Sequence, residues 1–424
     1  MRFPHPEQRS PRDILIATVA ILALLAAFGL NWVTSEQRTV DHTTAEKPLT
    51  APKEPDKVPV NLQEQWRSET QLTRAPLVTG GGVLTVEQDA NTASTLIMRD
   101  AITGDEVWRY RRELPLCDVT TSSGRIVAVY HGPKGCGDVL SFDGATGQYA
   151  HGRSSLAEED SLPLRSNDST GRISSTQVEL WRSDLIRTVF VGNDPTPVRA
   201  DAQAYPDCRF TSALTRTDLL AVEQTCPDQE KKLVRLLKRE PERPDTPEVF
   251  HEFYVPQGSE LVTIGQDRAG VYAPRGAQDD GPPQLIVMDT HDGVKHFDTP
   301  AAPVLDDRDA SAEKVFEPNT ADQPHHMTWW TGKSVVGFSP STQEPAFEIP
   351  DALGTGVVMK DQMLVPVPGG IAVFSLASLR DPLPTPERII AVDRGDAAGT
   401  TPVNLRVSGD VVLEQRGETV VALR

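Results

Sequence analysis

Aromatic residues and catalytic signatures are scarce in this chain. Phe, Trp and Tyr make up 6% of its 424 residues, so aliphatic strands must supply most of any core. The sequence contains no G-x-S-x-G nucleophile elbow, no H-E-x-x-H and no P-loop. We therefore predict a protein that is not an enzyme, with no catalytic residue and no bound cofactor.

Positive charge is also in short supply. The chain has 42 Lys and Arg against 60 Asp and Glu, for a formal net charge of −18. An acidic surface of this kind repels nucleic acids and anionic lipid head groups. We exclude nucleic-acid binding as the main role, and the simplest consequence of the charge is solubility.

A single long apolar run lies near the N-terminus. Ile14–Leu30 carries no charge, and with the next three residues it reaches the ~20 residues that cross a bilayer. Arg2, Arg9 and Arg12 precede it and the first base after it is Arg38, so the positive-inside rule places the N-terminus in the cytoplasm. We predict a cytoplasmic tail over residues 1–13 and a transmembrane signal anchor over 14–34.

This anchor predicts a single-pass protein of the cell inner membrane, with everything after the span on the periplasmic side. The apolar run is longer than the core of a usual signal peptide, and no clean A-x-A site follows it. Both features favour an uncleaved anchor over the alternative, a cleaved signal peptide. Residues 35–60 are rich in Pro, Lys, Glu, Asp and Thr, a composition that predicts an extended stalk.

The remaining chain repeats short apolar strands separated by Gly, Asp and Asn. Three strands end in a D-x-x-T/D-G turn, within Thr95–Tyr110, Asp138–Gly152 and Gln284–Asp298. Asp hydrogen-bonds its own backbone and Gly accepts positive φ, so this pattern joins an inner strand to a returning edge strand. Repeats of about 40–45 residues with four strands are typical of propeller blades.

We therefore predict an all-β, PQQ-like β-propeller over residues 61–424. Eight units are counted, although seven blades is the alternative because units three, four and six are poorly marked. The units begin near Pro76, Cys117, Leu162, Cys208, Leu261, Val304, Gly356 and Val403.

The last unit lacks an outer strand, and the start of the repeat region offers one. Glu64-x-Trp66-Arg67 matches Glu106-x-Trp108-Arg109 in the first unit. We predict that Leu62–Glu69 pairs with the C-terminal strand, because ring closure removes exposed sheet edges.

Four cysteines allow three disulfide pairings. Cys117 and Cys136 bracket one expected hairpin, and Cys208 and Cys226 bracket another. Antiparallel pairing brings the ends of each hairpin together, so two local disulfides are natural in an oxidising compartment. The rival is a zinc site, but no C-x₂-C spacing occurs.

His325, His326, Trp329 and Trp330 form the best local candidate for ligand binding. Indole rings suit sugars or an acyl chain, whereas the structural interpretation is an aromatic cluster in the core. Adjacent histidines in a strand point to opposite faces, so we predict no metal there. The acidic loop with Asp306, Asp307 and Asp309 lacks the D-x-D-x-D-G spacing of a calcium site.

The chain resembles the membrane-anchored polar growth factor A family of mycolic-acid bacteria. The resemblance depends on the N-terminal anchor, Cys208 and Cys226, and the motifs ELPLC (113–117), GATG (144–147), WRSDLIRTV (181–189) and WWTG (329–332). It implies an anchored propeller that binds or scaffolds trehalose monomycolate and works with the inner-membrane mycolyl-lipid exporter in envelope assembly and polar growth. The resemblance identifies no catalytic residue in this sequence.

Two other functions stay open. A quinoprotein dehydrogenase would need tryptophan docking motifs in nearly every blade, and here a D-x-x-T-G turn clearly precedes a tryptophan only at Trp108. A scaffold for envelope protein assembly would usually be lipid-anchored through an N-terminal Cys, which this sequence lacks. Fold alone does not decide among these functions.

Overall fold

The computed structural model describes residues 10–34, 38–89, 92–166, 169–199, 201–227, 229–274, 281–306, 315–395 and 402–424. Arg2, Arg9, Asp307 and Asp309 lie outside these ranges. The N-terminal helix α1 spans Pro11–Thr34. It is long and apolar enough to cross a membrane, and none of its apolar window packs against the rest of the chain. The predicted span is therefore a candidate membrane anchor.

The rest of the chain is an eight-bladed β-propeller. Two short strands precede the first complete blade: β1 (Asp41–Thr43) and β2 (Glu64–Glu69). Blades 1 and 2 contain β3 (Leu77–Thr79), β4 (Gly82–Asp89), β5 (Ala93–Asp100), β6 (Glu106–Arg112), β7 (Leu116–Ser122), β8 (Arg125–Gly132), β9 (Gly135–Asp143) and β10 (Tyr149–Ser154). Blades 3 and 4 contain β11 (Leu162–Arg165), β12 (Thr170–Ile173), β13 (Gln177–Trp181), β14 (Arg187–Gly192), β15 (Arg209–Arg216), β16 (Leu219–Thr225), β17 (Lys232–Lys238) and β18 (Val249–Val255).

The second half of the ring repeats this order. Blades 5 and 6 contain β19 (Glu260–Ile264), β20 (Arg268–Ala273), β21 (Gln284–Asp289), β22 (Val294–Asp298), β23 (Thr320–Asp322), β24 (Met327–Trp330), β25 (Val335–Phe338) and β26 (Pro345–Ile349), with the short helix α2 (Pro303–Asp306) between them. Blades 7 and 8 contain β27 (Val357–Met359), β28 (Gln362–Val367), β29 (Gly370–Ser375), β30 (Arg388–Ala391), β31 (Val403–Ser408), β32 (Val411–Arg416) and β33 (Thr419–Leu423), with a 3₁₀ turn at Ser378–Arg380.

The prediction of eight units is confirmed. Seven of the eight blades begin within one residue of the predicted position, and the sixth is the exception. The expected start at Val304 lies in α2, and the first strand of blade 6 begins only at Thr320. The apolar pair Val304–Leu305 predicts a strand, but Leu305 is buried in the core as part of a helical turn.

Ring closure by the two ends of the chain is also confirmed. Strand β2 pairs antiparallel with β33, so that Arg67 lies opposite Val421 and Glu69 opposite Thr419. The order β2-β33-β32-β31 makes the last blade four-stranded. Closure by hydrogen-bonded strands leaves no open seam between blades 1 and 8.

The matching E-x-W-R segments occupy equivalent places. The Trp66 indole Nε1 donates to Ala101 O at 3.1 Å, and the Trp108 Nε1 donates to Gly144 O at 3.0 Å. Each ring covers the glycine of the next blade's turn, where φ is 78° at Gly104 and 74° at Gly147. A Cβ at either glycine would lie within 3 Å of the indole, so both the conformation and the contact require glycine.

The aspartates of these turns act as the sequence predicts. The Asp143 Oδ1 accepts hydrogen bonds from the backbone N–H groups of Ala145 and Thr146 at 3.1 and 2.9 Å. The Asp289 Oδ1 accepts from the N–H of Gly293 at 2.8 Å. Local carboxylate bonds of this kind hold the tight turn between a third strand and an outer strand.

Residues 38–63, which we call the strap, include most of the stalk predicted at 35–60, and they pack on the propeller. Strand β1 adds a fifth strand to blade 1 by pairing with β6. The Leu49 N–H donates to Ala145 O at 3.0 Å, Glu54 forms an ion pair with Lys360 at 3.1 Å, and Val58 is buried between blades 7 and 8. Single apolar residues of this Pro-rich segment pack against the propeller. The composition of the segment does not predict these contacts.

The two faces of the propeller are therefore different. The strap follows the turns that join the first and second strands of blades 1, 8 and 7, since it passes Gly81, Gly409 and Lys360. We call this side the strap face. Both disulfides lie on the opposite side, where Cys136 and Cys226 sit at the turns between second and third strands.

Candidate functional site

The four residues predicted as a ligand cluster have different surroundings. The His325 side chain is exposed, and His326 is half-buried with its ring 5.3 Å from that of Phe347. Burial, and then the charge of His325, lowers the pKa of His326. Both histidines precede β24 and lie at the end of that strand away from the second tryptophan.

The two tryptophans belong mainly to the core. The Trp329 side chain is fully buried, with its ring centroid 5.4 Å from that of Tyr272. The Trp330 Nε1 donates to Ala352 O at 2.8 Å, and this ring also lines a surface cavity described below. Trp330 is therefore the one of the four that lines a cavity described below.

Both predicted disulfides are present. Cys117 bonds to Cys136 and Cys208 to Cys226, with Cα–Cα distances of 5.9 and 4.2 Å. Each bond ties the start of an inner strand to the following hairpin. Among the residues that the structure describes, no group of three or more His, Cys, Asp or Glu has the geometry of a metal site.

Two polar cavities lie along the propeller axis. The first, of about 320 Å³, opens on the strap face; the second, of about 80 Å³, lies toward the disulfide face. Arg165, Thr320 and Arg406 line both, so these three residues form the waist of one axial channel. They come from the innermost strands of blades 3, 6 and 8.

The carboxylates of this channel are already paired. Asp322, the one acidic residue among the described residues that line the first cavity, forms an ion pair with Arg216 at 2.8 Å. Glu317, the one acid in the described lining of the second cavity, forms an ion pair with Arg74 at 3.3 Å. Burial raises the pKa of Glu317, while the charges of Arg74 and Arg165 oppose that rise.

Arg165 and Arg406 have weaker partners. The Arg165 Nη1 donates to the Thr121 hydroxyl at 3.3 Å, and the Arg406 Nη1 donates to Leu405 O at 2.8 Å. Within the described parts of the chain, neither guanidinium forms an ion pair with a carboxylate. Burial, and then the positive charge of Arg165, lowers the pKa of Arg406 to about 9.

An apolar cavity of about 430 Å³ adjoins the channel. Its apolar lining comes from Leu72, Val304, Phe316, Trp330 and Pro402. It shares Leu72, Thr73, Arg74, Glu317 and Asn319 with the second axial cavity, so the Arg74–Glu317 ion pair lies between the two. Leu72 is 46% exposed and has a φ of 64°, an unfavourable conformation for a leucine.

Other buried charges fasten blades together. Glu179 accepts from Arg153, Arg172 and Arg187 at 2.6, 3.0 and 2.6 Å between blades 2 and 3. Burial would raise the pKa of Glu179, but the three guanidinium charges together lower it below its ordinary value. Glu179-x-Trp181-Arg182 repeats the E-x-W-R pattern of the two outer strands. Here the Trp181 ring is buried 5.2 Å from the Arg153 guanidinium, so this segment makes a core contact and is not an outer strand.

The channel residues were not singled out from the sequence. The sequence feature that could identify them is an arginine in the innermost strand of a blade, here Leu162–Arg165 and Val403–Ser408. Side chains of the innermost strands converge on the axis of the propeller. Finding them requires the blade boundaries first, because an isolated arginine in a β-strand usually lies on the surface.

Comparison with known proteins shows no family. No family model matches the chain, and no curated protein matches it. The structure is similar to apo AztD from Citrobacter koseri, with 11% identity, a TM-score of 0.47, and coverage of 79% of this chain and 88% of that one. It is also similar to Sqt1 from Saccharomyces cerevisiae, with 10% identity, a TM-score of 0.44, and coverage of 89% and 99%. Likeness at this level carries no information about ligand or activity.

Proposed function

We propose that this protein is a membrane-anchored binding scaffold without enzymatic activity, with its propeller on the periplasmic side of the inner membrane. Helix α1 supplies a candidate anchor, and Arg12 precedes its apolar run, in keeping with a cytoplasmic N-terminus. The two disulfides support an oxidising compartment for the propeller.

The observation that carries the proposal is the apolar cavity beside the polar axial channel. An amphipathic ligand needs an apolar surface for its chain and polar groups for its head, in contact with each other. The cavity of about 430 Å³ offers Phe316 and Trp330 to the chain. The adjoining channel offers Thr73, Asn319 and the Arg74–Glu317 ion pair to the head.

Given the resemblance to the polar growth factor A family, the proposed ligand is trehalose monomycolate. The start of its acyl part would lie against Trp330 and Leu72, with the remainder outside, since 430 Å³ holds only a short segment of a mycolyl chain. Its sugar hydroxyls would face the polar channel. The proposed partner is the inner-membrane exporter, which would deliver the glycolipid on the periplasmic side.

The test uses the full chain in detergent micelles, because the strap packs on the propeller and a protein shortened to begin at Asn61 would lose it. Binding of trehalose monomycolate is measured for the wild type and for Leu72→Asn. Asparagine tolerates the positive φ of this position and removes apolar surface. We expect at least a fivefold loss of affinity in Leu72→Asn.

The matched control is Leu156→Asn, because Leu156 is also 46% exposed but lies outside the cavity. This control should bind like the wild type. Absence of trehalose monomycolate binding to the wild type, or equal affinity in the two variants, would contradict the proposal. Co-purification of the exporter with the anchored protein tests the partner separately.

A further inference from the structure

Among the described residues, the axial channel is lined by more arginines than carboxylates. Its two lining carboxylates, Asp322 and Glu317, each pair with another arginine. Within the described ranges this leaves the guanidinium groups of Arg165 and Arg406 at the waist without an ion pair, although the charge of Glu317 still attracts Arg165. Arg165 is exposed to the channel and Arg406 is half-buried. Two like charges side by side disfavour each other's charged form, and an anion between them removes that cost.

Buried polar atoms at the same place also lack protein partners. Within the described ranges, no hydrogen bond is made by the side-chain atoms Thr120 Oγ1, Ser122 Oγ, Thr355 Oγ1 and Asn404 Oδ1. All four residues line the axial cavities and are at most 7% exposed. Buried polar groups are normally hydrogen-bonded, so these atoms lack the partners they usually have. A rotation of the Thr120 or Ser122 side chain would turn its hydroxyl toward a ligand, whereas Asn404 Oδ1 can only accept.

We propose that the waist of the channel binds a phosphate group, through Arg165 and Arg406. The planar guanidinium fork matches the oxygens of a tetrahedral oxyanion, and two forks match the charge of a dianion better than that of a carboxylate. The hydroxyls of Ser122 and Thr120 can donate to the remaining oxygens. The cavity of about 320 Å³ on the strap face gives room for the molecule that carries the phosphate.

This inference does not depend on the proposed glycolipid. Trehalose monomycolate has no phosphate, so the waist would hold a second ligand or regulate the first. The chemistry fits both free inorganic phosphate and the monoester head group of a small phosphorylated molecule. The experiment separates these sources.

The test is calorimetric titration of the full chain in detergent micelles and a buffer free of phosphate. The probes are inorganic phosphate, glycerol 3-phosphate and acetate. We expect phosphate and glycerol 3-phosphate to bind with an affinity that falls as salt rises, and acetate to bind at least tenfold more weakly. Tighter binding of glycerol 3-phosphate than of phosphate would identify the monoester as the natural form.

The variants Arg165→Gln and Arg406→Gln should each lower phosphate affinity at least tenfold, and the double variant should abolish binding. Arg406→Lys, which keeps the charge but loses the fork, should give an intermediate affinity. The control is Arg182→Gln, at an exposed arginine paired with Asp184 at 2.7 Å. Circular dichroism of each variant checks that it folds.

Three outcomes would overturn the proposal. The first is a wild-type protein that does not bind millimolar phosphate. The second is unchanged binding in a folded double variant, which would place the phosphate elsewhere. The third is equal affinity for acetate and phosphate, which would show a site for anions in general. Loss of phosphate binding with intact trehalose monomycolate binding would separate this proposal from the proposed function.

Discussion

Two groups of arginines in this propeller have different electrostatic surroundings. Arg153, Arg172 and Arg187 lie between blades 2 and 3, and each contacts the Glu179 carboxylate within 3.0 Å. Arg165 and Arg406 lie at the axis, without a carboxylate in ion-pair distance among the described residues. The groups also differ in burial, since the three arginine side chains around Glu179 are 4–29% exposed, whereas Arg165 is exposed to the channel and Arg406 is half-buried.

The difference that bears on ligand binding is what neutralises the charge of each group of arginines. A buried charge is tolerated when the protein supplies fixed partners, as Glu179 does for its three arginines. Such a cluster holds two blades in register. A charge without a fixed partner can instead be neutralised by a ligand that binds reversibly. The comparison assigns structure to the first group and binding to the second, and each assignment can be tested.

The largest expected effect comes from Glu179→Gln. This change removes the negative charge and leaves three guanidinium groups without compensation in a buried place. Breaking a buried ion cluster in this way costs about 3–5 kcal/mol. Urea unfolding of the full chain should therefore show a midpoint shifted strongly to lower denaturant.

The control for this variant is Glu106→Gln. Glu106 pairs with Arg109 at 2.7 Å, but both side chains are more than a third exposed. An exposed pair contributes about 0–1 kcal/mol, so the control should unfold almost like the wild type. Equal shifts in the two variants would mean that the Glu179 cluster does not fasten the blades.

Asp118, beside the structural cluster, should give a smaller, pH-dependent effect. Burial raises the pKa of Asp118 to about 7, although Ser161 donates to it at 2.7 Å and Arg172 lies nearby. An unfolded aspartate has a pKa of about 3.9, so between these values the folded state keeps a proton that the unfolded state has lost. Stability therefore falls as pH rises from about 4 to about 7 and is level above that.

The measurement is the free energy of unfolding at pH 5 and pH 8 for the wild type and Asp118→Asn. The variant should lack a fall on the order of 2 kcal/mol that the wild type shows. Asp410→Asn, at a carboxylate paired with Arg424 on the surface, should keep that fall. If the wild type is equally stable at both pH values and Asp118→Asn behaves in the same way, the raised pKa of Asp118 is refuted.

Much of the fold follows from the sequence because turn chemistry is local. The D-x-x-T-G turns, with Asp143 and Gly147 as an example, mark hairpins within a few residues, and the repeated spacing then gives the ring. Ring closure is also readable, since Trp66 repeats the environment of Trp108. The start of blade 6 and the contacts of the strap are not readable, because both depend on packing between distant segments.

The candidate site follows from the sequence much less well. The aromatic stretch at Trp329 and Trp330 is conspicuous in the sequence, yet the fold uses most of it as core. Arg165 and Arg406 are 241 positions apart in the chain (406 − 165), and nothing local links them. They meet only because inner strands of separate blades converge on one axis. Sites of this kind become visible only after the ring is assembled.

The smallest expected effect on stability comes from Arg406→Gln, and it sharpens the comparison most directly. Arg172→Gln, in the structural group, breaks charge-assisted hydrogen bonds and should cost about 1.5–3 kcal/mol. Arg406→Gln should change the free energy of unfolding by less than about 0.5 kcal/mol or increase it. The reason is that burial and Arg165 lower the pKa of Arg406 to about 9, so at pH 7 the folded state holds a charge in an unfavourable place. Neutral glutamine removes that cost.

Both variants are compared by urea unfolding at pH 7, first without phosphate and then with it. Phosphate should stabilise the wild type and Arg172→Gln but not Arg406→Gln, since a ligand stabilises only the state that binds it. A destabilised Arg406→Gln in phosphate-free buffer would place this arginine in the structural group and remove the distinction between the two.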